Sequence, residues 1–334
     1  LKMVVVKMLP FDNKSEFQIV IDMPEGTPLE KTAAVTQAIS TYLLNVHEVE
    51  NAVSYVGTAS PYNFNGLVRH YFLRRGDNVA DIQVNLLPKN KRKRQSHAIA
   101  KSIRDDVHKI GLAYGANVKV AEVPPGPPVL QTLVAEVYGP DDVTRLSITK
   151  QIKSVFTKTN GVTDVDWYVE DPQTKIELLP DKEKAAKIGI SVDRISKIIS
   201  MGVAGTTAGL AHIPDAPEDI PIFMRLPLDQ RSEVQDILRM QISNSSGQLV
   251  PLSELVTIKT STIDTSIYHK NLKPVVYVTG DVAGALESPV YAIQQMNNTI
   301  SSLKLPTGYK IDHYTTTAPN DTSKAAIKWD GEWH

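Results

Sequence analysis

Phe17-Gln-Ile-Val-Ile21 passes through a Pro- and Gly-containing turn into the amphipathic stretch Leu29–Leu44, and this unit decides the fold. Phe17, Ile19 and Ile21 oppose Gln18, Val20 and Asp22, a period of two that predicts a strand with one apolar and one more polar face. Val35, Ile39 and Leu43 then recur at helical spacing, flanked by Ala38 and Tyr42. The same strand-then-helix unit returns as Ile82-Gln-Val-Asn-Leu86 into Gln95–Leu112, and as Leu133-Val-Ala-Glu-Val137 into Val143–Phe156. It returns again, much later, as Pro274-Val-Val-Tyr-Val278 into Tyr291–Leu303. Taken in pairs, the four units predict an α+β fold of two ferredoxin-like βαβ sandwiches. The wide gap inside the second pair predicts that an α+β module is inserted there.

Between these units, Val49–Val56 reads as a strand. Leu67–Arg75 and Ala80–Leu86 read as the arms of a hairpin about Gly76-Asp77-Asn78. Gly57–Gly66 has no periodicity, yet it carries Tyr62 and Phe64, with Phe72 further on. Large rings in an aperiodic loop bracketed by glycines point to a mobile segment that offers them to a hydrophobic ligand. Pro124-Pro-Gly-Pro-Pro128 reads as a stiff linker between the sandwiches. Within the insertion, helices are expected at Lys182–Ile188, Val192–Met201 and Glu233–Met240, and strands at Ile220–Leu226 and Leu249–Val256.

Composition narrows the function. With 334 residues and 42% hydrophobic content, the chain can bury more than one core. A net charge of −1 leaves no basic field for nucleic acid. The absence of cysteine removes disulfides, zinc–thiolate sites and thiol catalysis. No stretch reaches the roughly 18–20 apolar residues of a membrane helix. A start at Leu1 and the run Leu1–Val6 fit the exit from a preceding membrane helix. Trp329 and Trp333 fit the approach to a following one, since tryptophan concentrates at membrane interfaces.

No catalytic pattern is present: there is no nucleophile elbow, no phosphate-binding loop and no dinucleotide fingerprint. An enzyme is therefore not expected, nor a cofactor. The eight histidines are scattered, with none four residues from another, and His70 reads as decoration of a sheet face. The basic run Lys89–Arg94 reads as a solvated face. The seven methionines are spread over different elements and read as packing rather than soft-metal ligands, so no metal site is expected.

Several stretches together resemble one family. They are Phe17–Thr32, Val49–Gly57, Lys175–Val192 and Gly247–Leu255. In order and spacing they are similar to the second large periplasmic loop of a resistance–nodulation–division (RND) efflux permease, between its seventh and eighth membrane helices. The resemblance implies a porter subdomain PC1 over residues 10–123. It implies a discontinuous PC2 over 128–172 and 273–316, a docking subdomain DC over 173–272, and a tail over 317–334 leading toward a membrane helix. It implies that substrate enters between PC1 and PC2, with Thr58–Asn65 as a switch loop. The substrate-facing residues would then be Gln18, Val20, Asp22, Val53, Tyr55, Tyr62 and Phe64, joined from PC2 by Asp166 and Trp167. The aromatics differ in position from those of the best-known drug exporters. No methionine stands at Val20, at Val53 or in the loop, which leans against metal export. The implied setting is the periplasmic part of an inner-membrane homotrimer that exports amphiphilic small molecules with an adaptor (membrane fusion) protein and an outer-membrane channel. The alternatives are a module mainly for assembly and docking, with substrate recognised elsewhere, or heavy-metal export.

Overall fold

The computed structural model describes residues 11–123, 130–283, 288–300, 302–303, 309–312 and 325–330, the last two as backbone. The Pro124–Pro128 linker, Leu1–Val6 and Trp333 lie outside the described residues.

The first sandwich is β1 (Glu16–Asp22), α1 (Leu29–Leu44), β2 (Val49–Thr58), α2 (Phe64–Val68), β3 (Arg75–Leu86), α3 (Ser96–Tyr114) and β4 (Asn117–Ala121). Its antiparallel sheet has the order β2-β3-β1-β4, as a split βαβ chain requires. Phe17, Ile19 and Ile21 of β1 meet Val35 and Ile39 of α1 and Ile99, Ile103 and Val107 of α3 in one fully buried core. The period-two and helical stripes of the sequence thus close on each other. Gly111 marks how tightly α3 sits on β4, since a Cβ there would come within 2.3 Å of the Val118 side chain.

Residues 67–74 depart from the expected hairpin arm. Leu67 and Val68 complete α2, Tyr71–Leu73 form a 3₁₀ turn, and β3 begins only at Arg75. The apparent alternation Leu67, Arg69, Tyr71, Leu73 is misleading, because His70 adopts a left-handed backbone (φ 59°) that no strand allows. Asn63 starts the helical turn by accepting the Gly66 N–H on Oδ1 at 2.7 Å.

The second sandwich opens with β5 (Leu133–Tyr138), α4 (Asp142–Lys158) and β6 (Val162–Trp167). The chain then builds a separate compact unit over Gln173–Ile263. That unit holds β7 (Thr174–Pro180), α5 (Lys182–Lys187), α6 (Val192–Val203), β8 (Thr206–Ala211), β9 (Ile220–Met224), α7 (Val234–Leu238), β10 (Gln241–Ser243), β11 (Leu249–Pro251) and β12 (Val256–Thr262). Its own core joins Ala185, Ile190, Ile195, Ile242, Leu252 and Leu255. The glycine-broken segment Gly202–Gly209 turns out to supply most of β8, which pairs with β9.

The second sandwich resumes with β13 (His269–Lys270), β14 (Lys273–Val282), α8 (Pro289–Ile300), β15 (Tyr309–Asp312) and β16 (Ala325–Asp330). β14 pairs with both β5 and β6, and β16 pairs with β5, so β6-β14-β5-β16 repeats the order of the first sheet. Two readings of the sequence are corrected here. β13 pairs with β14, so residues 269–270 belong to this sheet and not to the insertion. Residues 325–330, expected in a tail, supply its fourth strand. The sheet rests on a core of Leu133, Val137, Ile148, Ile152, Phe156 and Met296.

Candidate functional site

On the first sheet, the face turned away from the helices carries the polar half of each alternation. Across the strands, Gln18 lies beside Gln83 and Ala121, and Val20 beside Asp81 and Lys119. Val53 and Tyr55 of β2 extend the same two rows. Gln18, Val20, Asp22, Val53 and Tyr55 are therefore brought onto one surface.

That surface is not open. Residues 59–74 fold over it, pinned by charge. Asp81 is fully buried, and its carboxylate accepts from Gln18 Nε2 at 2.7 Å and from the Ser60 N–H at 2.8 Å, and pairs with Arg74. Arg74 also binds Asp22 at 2.6 Å and donates to the Ile21 carbonyl at 2.7 Å. Asn65 Nδ2 donates to the Ala121 carbonyl at 3.1 Å. Val20 closes under this roof with Tyr71 and Ala121. The loop is thus a cover tied to the sheet by these contacts.

Its crest faces outward. Tyr62 is 75% exposed and Phe64 47% exposed, and Tyr62 leans on Phe72 with ring centroids 5.6 Å apart. A large ring in water gives up hydrophobic free energy unless something covers it. These rings are held out by a cover whose base is locked.

Three cations of the first sandwich meet aspartates of the second. Lys119 is buried between Asp22, at 2.8 Å, and Asp166 of β6. Burial alone would push its ammonium down, but Asp166 and Asp22 outweigh burial and hold it well above the ordinary lysine range. Asp22 is the converse: burial pushes it up, and Arg74 and Lys119 together hold it well below the carboxylate range. Arg104 pairs with Asp164, which also takes His108 Nε2 at 3.0 Å. Asp164 is buried, which alone would raise it, but His108 and Arg104 hold it low. Arg69, from the cover, reaches Asp281 of β14 at 2.9 Å.

Asp166 therefore joins the site through Lys119. Trp167 does not. Neighbours in a strand point to opposite faces, and Trp167 packs on the helix side, with Lys153 Nζ 4.1 Å above its ring. Trp167→Ala should consequently lower local stability by about 2 kcal/mol, read as amide hydrogen exchange in β6, while leaving binding at Tyr62 and Phe64 unchanged. A loss of binding without loss of stability would put the indole back in the site. The residues missed in the sequence are Arg69, Arg74 and Lys119. Each is an ordinary surface type with a partner 47 to 212 residues away, although Arg74 also pairs with the nearby Asp81. Asp81 alone gave a signal, on the polar side of the β3 alternation.

With this geometry in hand, the sequence model of the AcrB/AcrD/AcrF family matches residues 3–329. The chain belongs to that family. These are RND permeases, inner-membrane proteins of efflux systems. Among the described residues no helix is long and apolar enough to cross a membrane. The nickel and cobalt resistance protein CnrA of Cupriavidus metallidurans is 31% identical over 162 residues, covering 47% of this chain and 15% of that protein. The multidrug export protein AcrF of Escherichia coli is 22% identical over 313 residues, covering 90% of this chain and 28% of that protein. The chain thus spans well under a third of the length of these relatives. A crystal structure of a heavy metal efflux pump superposes with a TM-score of 0.67 at 17% identity, covering 90% of this chain and 30% of the pump. The RND likeness in fold therefore extends over nearly the whole chain.

Proposed function

We propose that this chain is the periplasmic substrate-binding and docking region of an RND exporter of amphiphilic small molecules. The observation that carries the reading is the locked cover with its outward rings: Tyr62 and Phe64 stand in solvent on a segment tied down by Asp81, Asp22 and Asp281. Substrate would be held by these rings with Val53 and Tyr55 beside them, and would move between the two sandwiches without bond chemistry. The compact unit at 173–263 would dock a periplasmic adaptor and an outer-membrane channel, in a homotrimer of the intact transporter.

Metal export is the second reading, favoured by relatives named for nickel, cobalt, zinc and cadmium resistance. Against it, the carboxylates Asp22, Asp81, Asp164, Asp166 and Asp281 are each already taken by an arginine or lysine. The test is titration of the chain with N-phenyl-1-naphthylamine, followed by fluorescence. Saturable binding that weakens about tenfold in Phe64→Ala supports the amphiphile reading, since covering a ring is worth on the order of 1–2 kcal/mol. Absent dye binding together with saturable Co²⁺ or Zn²⁺ binding would replace it with metal export.

A further inference from the structure

The two sandwiches are built alike, so each position on one helix pair has a counterpart on the other. Aligning Val35 of α1 with Ile148 of α4 carries Thr32 onto Arg145, Thr36 onto Thr149, Ile39 onto Ile152 and Leu43 onto Phe156, all of them buried. Aligning Ile103 of α3 with Met296 of α8 carries Ile99 onto Ala292, Ala100 onto Ile293 and Val107 onto Ile300, again all buried. Both helix pairs therefore turn the same stripe of positions toward their sheets.

In this frame the second sandwich lacks one bridge. Tyr42 joins α1 to α3: its ring packs half-buried on the core, and its hydroxyl donates to Asp106 Oδ2 at 2.8 Å. In the second sandwich Tyr42 falls on Val155 and Asp106 on Thr299, so the ring and the carboxylate are both replaced by smaller groups. Those same two residues border a groove of about 280 Å³ between α4 and α8. The buried Val155 and half-buried Leu303 form its base, and Ser154, Lys158, Gln295 and Thr299 its rim. The volume falls just short of the roughly 300–1,000 Å³ of a drug-sized site. It suits a ligand of one or two rings.

The charge changes with the shape. Thr299 removes the carboxylate that Asp106 brings to the first helix pair, and Lys158 stands where α1 ends in Asn45. The ionisable residues of α4 are Asp142, Arg145, Lys150, Lys153 and Lys158, and α8 has none. Asp142 is paired with Arg145, and Lys153 lies over the Trp167 ring. Lys158 is the one charged residue on the groove, is exposed, and makes no ion pair among the described residues. The Ser154 hydroxyl and the Gln295 amide add groups that can donate to an anion. An apolar base under a single cation matches a ring that carries a negative charge.

We propose that this groove binds a small aromatic carboxylate. The ring takes over Val155 and Leu303 the place that Tyr42 fills in the first sandwich, and the carboxylate meets Lys158. The site lies between the helices of the second sandwich, apart from the cover on the first sheet, so it does not depend on the substrate-binding reading above.

Calorimetric titration of the chain with 1-naphthoate, and with the alcohol and the methylammonium built on the same ring system, tests it. Naphthoate should bind about fivefold more tightly than the alcohol, as one exposed charge pair allows, and the ammonium should bind most weakly. Lys158→Gln, at an exposed position, should bring naphthoate down to the alcohol and leave the alcohol unchanged. Val155→Tyr with Thr299→Asp, which writes the bridge of the first sandwich into the second, should abolish naphthoate binding. If that double variant does not fold, Lys158→Gln still decides. Phe64→Ala should bind naphthoate as the parent chain does. Equal affinity for the three compounds, no binding of naphthoate, or full naphthoate binding in a folded double variant would overturn the proposal. So would loss of naphthoate binding in Phe64→Ala, which would move the ligand to the cover. Binding of N-phenyl-1-naphthylamine that depends on Phe64 tests the substrate-binding reading separately, so either can fail alone.

Discussion

Asp81→Ala is expected to cost the first sandwich about 3–5 kcal/mol, the range for removing one partner of a buried ion pair. Asp81 accepts from three groups: the Gln18 amide, the Ser60 N–H and the Arg74 guanidinium. Without it Ser60 and Gln18 lose their charged acceptor, and Arg74 is left with Asp22 and backbone carbonyls. The cover over the sheet should then detach, and its rings with it. Because the chain contains a second compact unit, a single global unfolding energy is poorly defined. Amide hydrogen exchange in β1 and β3 reads the loss locally, and protection there should fall by at least about two orders of magnitude. N-phenyl-1-naphthylamine binding should fall with it. Asp81→Asn, which keeps an acceptor of the same shape, should lose less. Unchanged protection in Asp81→Ala would mean that the cover is held by its apolar contacts instead.

How far the sequence reaches can be read from β1 and from the cover, which lie against each other. In β1 the alternation of Phe17, Ile19 and Ile21 with Gln18, Val20 and Asp22 is local, and burial follows it because the helices can pack on one face only. The four helices and the repeated strand order follow from the same periodicities. The cover is different. Its conformation is set by Asp22, Asp81 and Asp281; Asp81 lies close to Arg74 in sequence, but Asp22 and Asp281 are distant, and no window of ten residues contains all three pairings. Its local pattern even points the wrong way, toward a strand. β16 was hidden for a similar reason: its pairing with β5 spans more than half of the chain. Trp167 is the opposite case. Strand geometry forbids it from sharing a face with Asp166, and that alone separates the two side chains. The family resemblance supplied the expectation that substrate enters between the sandwiches and that the loop is a switch. The charged seam between the sandwiches came only from the fold.

Asp281→Ala should loosen that seam more than any other single change on the second sandwich. Arg69 is 3% exposed, and its guanidinium reaches Asp281, Gln131 and the Glu122 carbonyl. Asp281 in turn accepts from the Thr132 hydroxyl at 2.6 Å, and Gln131 Nε2 donates to the Tyr71 hydroxyl at 2.9 Å. Arg69 belongs to the cover and Asp281 to β14, so the pair ties the ring-bearing segment to the second sandwich. Removing Asp281 leaves a buried cation without its counter-charge, which again costs about 3–5 kcal/mol. Replacing both partners by apolar groups, Arg69→Met with Asp281→Leu, removes the unpaired charge and should recover most of that loss. The absence of native cysteine makes the motion directly measurable. Spin labels at Leu44→Cys on α1 and Val143→Cys on α4, both exposed positions, report the separation of the two sandwiches. The distance distribution should be narrow in the parent chain, broad in Asp281→Ala and narrow again in the double variant. A narrow distribution in Asp281→Ala would show that Lys119 and Arg104 hold the sandwiches together unaided, and that Arg69 serves the cover alone.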